Sequence, residues 1–185
     1  MSRTYIAGAA LWLFTAVGVL AGTSPPAAAP ASVSVPLGAC KEVGGEVEPD
    51  WVLHRCQGYG SIPVWLAFSD SNKSHLGFGA KPNLSGIFGL EGPLGRIEWR
   101  GVKTARGFEP YAVIAHVTSP FEEDQKGHFV VYRLRNDRTS CILGETVEAD
   151  AGSRQRAREI ADRARDQFKC EEEPELPGPN KVGPH

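Results

Sequence analysis

The chain has 185 residues, 41 % hydrophobic and 23 % charged, the composition of an ordinary globular protein, which excludes a fibrous or wholly disordered one. Its 20 Lys and Arg against 22 Asp and Glu give a formal charge of −2, so no basic excess recommends a nucleic acid or an anionic membrane surface. One main domain is expected.

In chain order, Arg3 stands in a short polar start and Tyr5 to Leu20 follows as an apolar run without charge. That is the layout of a secretory signal peptide, and small residues at Ala29 and Ala31 place its cleavage before Ser32. The competing reading is an uncleaved anchor, although the run is slightly shorter than the roughly 20 apolar residues of a span. Residues 1–31 are therefore assigned to a signal segment, the only part expected to meet a membrane. Residues 32–170 form one domain, in which 32–39 read as a linker.

Short β-prone runs begin near Trp51. Ser61 to Phe68 is apolar on both faces, with Pro63 placing it at a sheet edge or a strand start. Residues 77–95, with Gly86, Gly89, Gly92 and Gly95 spaced by three, read as a loop with close backbone approaches. Arg96 to Arg100 alternates, with Ile97 and Trp99 inward and three charges outward. Tyr111–Thr118 and His128–Leu134 carry the strongest strand signal by β-branched and aromatic content, and Thr139–Val147 follows through a tight turn at Asn136-Asp137. After Asp150 the period changes. Ala157, Ile160, Ala161, Ala164 and Phe168 share one face of a helix over about 153–168, with Asp150 or Ser153 as its cap. The predicted fold is α+β, an antiparallel β-sheet with one C-terminal amphipathic helix. Residues 171–185, with four Glu, four Pro and no aromatic, are expected to be a disordered acidic tail. Without leader and tail the domain balances at 18 basic and 18 acidic residues.

Cys40, Cys56, Cys141 and Cys170 all follow the expected cut, so an oxidising compartment would meet an even number of thiols. Three pairings are possible. Cys40 with Cys56 and Cys141 with Cys170 are favoured because each closes a short segment at one end of the domain. The absence of a C-x-x-C motif argues against a zinc, haem or redox site.

Motifs for catalysis are missing. No G-x-S-x-G elbow surrounds a serine, no G-x-x-x-x-G-K loop occurs, and the five histidines never form H-x-x-x-H. No catalytic residue, metal ligand or cofactor is assigned. Glu122-Glu123-Asp124 reads as an acidic turn, and the sequons at Asn72 and Asn83 as chance. His116 and His128, on neighbouring predicted strands, are the pair that could meet, with Glu98 as a further member of a hydrolase site assembled from separated residues. Tyr59, flanked by glycine in Gln57-Gly58-Tyr59-Gly60, is the candidate for a projecting contact residue together with Gln57. Arg154, Arg158 and Arg165 lie on the charged face of the helix, where an anionic partner is the alternative to plain solvation.

Trp51, Arg55-Cys56-x-Gly58-x-Gly60-x-x-Pro63-Val64, Ser140-Cys141-x-x-Gly144 and Ala157-Arg158-x-x-Ala161-Asp162-x-Ala164-x-x-x-Phe168-x-Cys170 together resemble a family of small exported four-cysteine proteins of alphaproteobacteria. The resemblance implies a periplasmic setting and brings no activity, substrate or active-site residue. Residues and resemblance together lead to a non-catalytic binding, inhibitor or adaptor module that contacts another envelope protein or cell-wall component; the alternative is a small envelope hydrolase.

Overall fold

A computed structural model describes residues 28–44, 52–68, 73–82, 84–89, 97–118, 127–135, 139–167 and 170. The signal run before residue 28, the Asn136-Asp137 turn, the Glu122–Asp124 turn, both sequon asparagines, Phe168 and the tail from 171 lie outside them. Among the described residues ten strands precede one helix: β1 (Pro30–Val35), β2 (Cys40–Glu42), β3 (Val52–Cys56), β4 (Val64–Phe68), β5 (Lys73–Phe78), β6 (Ser85–Gly89), β7 (Ile97–Thr104), β8 (Gly107–Thr118), β9 (Gly127–Leu134), β10 (Ser140–Val147) and α1 (Ser153–Gln167). Every strand pair is antiparallel. The α+β class, the strands from β7 onward and the C-terminal helix follow the expected pattern.

Strand order splits the sheet into two halves. One runs β1-β7-β8-β9-β10 and the other β2-β3-β4-β5-β6, joined where Gly89 of β6 pairs with Thr118 of β8. Period-two alternation then decides what each half buries. From β8, Val113, Ala115 and Val117 enter the core between the halves, meeting Leu66, Leu76 and Phe78 from the other half. The alternate residues Ala112 and Ile114, with Phe129 and Val131 of β9, face Ala157, Ile160 and Ala161 of α1. The first half is thus covered on both faces, which explains why β8 and β9 read as nearly continuous apolar runs. Ser140 Oγ accepts the backbone N–H of Phe78 at 2.9 Å, a buried link from β10 to β5 across the halves.

Three expectations need correction. Residues 30–35 are a strand rather than a linker, because Ala31, Val33 and Val35 alternate with Ser32 and Ser34 and pair along β7. A cut before Ser32 would shorten β1 by two residues. The glycine-rich stretch contains β6, since a ladder needs only backbone N–H and C=O groups and pairing to β5 supplies the partners. Pro63 immediately precedes β4, the strand-start position expected for it, and β4 itself lies between β3 and β5. Glu98, expected outward toward water, is 4 % exposed because α1 covers that face. At the helix start Ser153 Oγ donates to Glu148 O at 3.3 Å, and Gly152, at φ 74°, opens the first turn.

Both disulfides form in the favoured pairing, Cys40–Cys56 across the β2–β3 ladder and Cys141–Cys170 from β10 to the segment after α1. No helix among the described residues is long and apolar enough to cross a membrane.

Candidate functional site

The Tyr59 loop begins where β3 ends. Gln57 N–H donates to Ala39 O at 3.2 Å, and Gly38 N–H donates to Gln57 O at 3.1 Å, which fixes the start of the loop to the chain leading into β2. Ile62 N–H then donates to Tyr59 O at 3.0 Å, closing a turn through Gly60 at φ 56°, a conformation that glycine adopts without a Cβ penalty. Gln57 is exposed and Tyr59 is half-buried.

Tyr59 was expected to project freely; instead its ring lies on a rigid aromatic stack. It meets Phe108 edge-on, with centroids 5.3 Å apart, and tilts over Trp99 at 6.0 Å. Trp99 continues to Phe78 at 5.8 Å and Phe78 to Tyr132 at 4.9 Å. Five rings therefore lead from the half-exposed Phe108 and Tyr59 into the core. Glycine makes the close fit possible: a Cβ on Gly58 would come within 2.9 Å of Trp99 Cζ2, and one on Gly101 within 2.6 Å of Phe108 Cζ. Trp99 is fully buried, yet among the described residues its Nε1–H has no hydrogen-bond partner, whereas Trp65 Nε1 donates to Gly79 O at 2.7 Å. An unpaired buried donor is costly, so its retention under an aromatic platform marks this end of the fold as unusual. The glycines around Tyr59 were legible in the sequence; the partnership of Trp99 and Phe108 was not.

The helix arginines are placed differently from the expectation of an outward basic face. Arg158 donates to Glu98 through Nε at 2.7 Å and Nη2 at 3.1 Å. Arg165 lies over the Tyr111 ring at 5.7 Å and donates to Ala28 O at 3.3 Å, and Arg154 lies over Phe129 at 5.2 Å. All three named arginines thus have partners within the fold. Between them Asp162 accepts Arg100 Nε at 2.8 Å and Nη2 at 2.7 Å and also the Tyr111 hydroxyl. A β-bulge brings Tyr111 there: Arg100 pairs with Ala112 and Gly101 with Pro110, leaving Tyr111 as the extra residue turned toward α1. Ser32 Oγ donates to Glu98 Oε1 at 2.6 Å and receives Arg100 Nη1 at 2.9 Å, joining the two clusters and β1. Arg158, Asp162 and Arg165 recur at i, i+4 and i+7 beside the apolar stripe, a signal for a docking seam.

Electrostatics follow from this geometry. Burial opposes ionisation of Asp162, but the hydrogen bonds of Arg100 and Tyr111 and the charges of Arg100 and Arg165 outweigh it and hold the carboxyl below the usual aspartate range. Glu98 is likewise lowered: burial is outweighed by hydrogen bonds from Arg158 and Ser32 and the charges of Arg158 and Arg154. Burial, then the hydrogen bond to Asp162, pushes the Tyr111 phenol upward.

His116 and His128 do not come together. His116 pairs with Phe129 and His128 with Val117, so adjacent strands send the two rings to opposite faces of the sheet. His116 Nε2 lies 2.9 Å from Glu148 Oε2 on the helix side, while His128 Nδ1 contacts Glu145 on the core side. Glu98 is held by Arg158 and Ser32. The three-residue hydrolase site is not assembled. Among the described residues no group of three His, Cys, Asp or Glu is disposed to hold a metal ion.

No protein-family model, curated protein or solved structure matches the chain.

Proposed function

We propose that this is an exported protein of the bacterial cell envelope that works by binding, and that its contact surface is the platform of Tyr59 and Phe108 with exposed Gln57 at its rim. The observation that carries the reading is the pair of half-buried rings held edge-to-face, with Tyr59 tilted over a fully buried tryptophan whose N–H has no partner among the described residues. Such rings lose little conformational freedom on association, which is why partly exposed, well-supported aromatics dominate binding energy at interfaces. The partner is another envelope protein or a cell-wall component. Two disulfides support an oxidising compartment, and the signal layout with the periplasmic resemblance supports the periplasm as that compartment.

The test is site-specific photocrosslinking in the producing cell. A crosslinker at Gln57 is expected to give one saturable adduct that Tyr59→Ala and Phe108→Ala each abolish, while a crosslinker at exposed Gln155 on α1 gives none. An adduct at Gln57 that survives both substitutions removes the platform from consideration.

A further inference from the structure

The two disulfides differ in how a thiol could reach them. Cys40 lies in β2, a three-residue strand at the end of the sheet order whose residues are all exposed. Its partner Cys56, directly opposite in the ladder, is 2 % exposed and belongs to the core between the sheet halves. Cys141 and Cys170 are both half-buried, and Cys141 packs against the helix-side core. A nucleophile from solvent therefore meets Cys40, the exposed residue of the four, before the other cysteines.

We propose that Cys40–Cys56 is an exchange-active disulfide, opened at Cys40 Sγ by a dithiol protein of the C-x-x-C class, and that its opening releases Gln57, the start of the Tyr59 loop, from the chain leading into β2. The attacking thiolate forms a bond to Cys40 Sγ as the Cys40–Cys56 bond breaks, and Cys56 leaves with the electron pair and takes up a proton. The second thiolate of the reductant then attacks the reductant's own sulfur in the mixed disulfide and expels Cys40 as a thiolate, which is also protonated. Two electrons and two protons pass to the protein, and the reductant becomes a disulfide.

The consequence for the loop follows from what β2 has left. Without the crosslink, the strand is held to β3 by the three pairs Cys40–Cys56, Lys41–Arg55 and Glu42–His54 and, just beyond it, by the Val43 N–H donating to Leu53 O at 2.8 Å with Val43 packed beside Leu53 and Trp65. The hydrogen bonds that grip Gln57 come from Gly38 and Ala39, immediately before that strand. When a short, exposed edge element opens, contacts that depend on its position open with it, while the buried sheet is unaffected. Any effect on partner binding rests on the Tyr59 platform being the contact surface; the exchange and the release of Gln57 do not.

The experiment treats the oxidised protein with graded dithiothreitol, and separately with a reduced thioredoxin-type protein, then alkylates and maps each cysteine by mass spectrometry. Cys40 is expected to be alkylated about tenfold faster than Cys141 and Cys170. In the product alkylated only at Cys40, hydrogen exchange is expected to rise in 38–44 and at Gln57 and to stay at its oxidised level in β8 and β9. Equal rates, earlier opening of Cys141–Cys170, or loss of protection in β8 and β9 would each overturn the proposal. The Cys40→Ser, Cys56→Ser double variant reports the open state without alkylation, and its failure to fold would also count against it. If exchange and release of Gln57 occur but the Gln57 crosslink is unchanged, the binding surface has been misassigned while the exchange site stands.

Discussion

Asp162 joins α1 to the sheet, and its removal measures how much that seam contributes. In Asp162→Ala the bidentate bond to Arg100 and the bond from Tyr111 are lost together, leaving Arg100, whose side chain is 14 % exposed, with a poorly solvated charge. Breaking a buried pair in this way costs about 3–5 kcal/mol when burial is complete. Asp162 itself is 28 % exposed, so water recovers part of that interaction and the expected loss is about 2–3 kcal/mol at neutral pH. For a domain of this size the melting temperature should fall by roughly 5–10 °C. Asp162→Asn, which keeps the shape and one acceptor, should lose less. The pH dependence gives the sharper check. Because the folded carboxyl titrates below the usual range, the unfolded chain binds more protons as the medium is acidified, and the contribution of Asp162 is complete only above the ordinary aspartate value near 3.9. Urea titrations of wild type and variant should therefore converge as pH falls below about 4. A difference under about 0.5 kcal/mol at pH 7, the size of a surface substitution, or one unchanged at pH 2, would refute the assignment of the seam to this ion pair.

Three further outcomes follow from other parts of the fold. Ser140→Ala removes the acceptor of the buried Phe78 N–H and should cost about 1–3 kcal/mol in chemical denaturation, with faster exchange of that amide as its local signature. Gly58→Ala would drive a methyl group against Trp99 and the Ile62 carbonyl, so a loss of about 1–3 kcal/mol and a changed tryptophan emission spectrum are expected. Replacing Cys141 and Cys170 together by serine frees a crosslink spanning 29 residues and should cost about 3–4 kcal/mol by loop-closure entropy, measured by thermal unfolding without reductant.

The sequence was most informative where a local period coincides with burial. At Ile97 and Trp99 and in α1 the apolar spacing showed element type and inward face together, because alternation and the 3.6-residue repeat are properties of the chain itself, whereas β8 and β9 were legible as strands by β-branched and aromatic content alone. Cysteine parity and spacing favoured the pairing that forms. Partner identity required the tertiary structure. Ser32, Glu98 and Arg158 span 126 positions of the chain and meet only because β1 returns to β7 beneath the helix, so no local pattern distinguishes Arg158 at a seam from an arginine in water. His116 and His128 looked like neighbours, yet register sends them to opposite faces, a parity fixed only when β8 and β9 pair. Tyr59 looked like a projecting residue because glycine flanks it; the ring beneath it comes from β7 and the one beside it from β8, and those distant contacts decide how much of it is left to meet a partner.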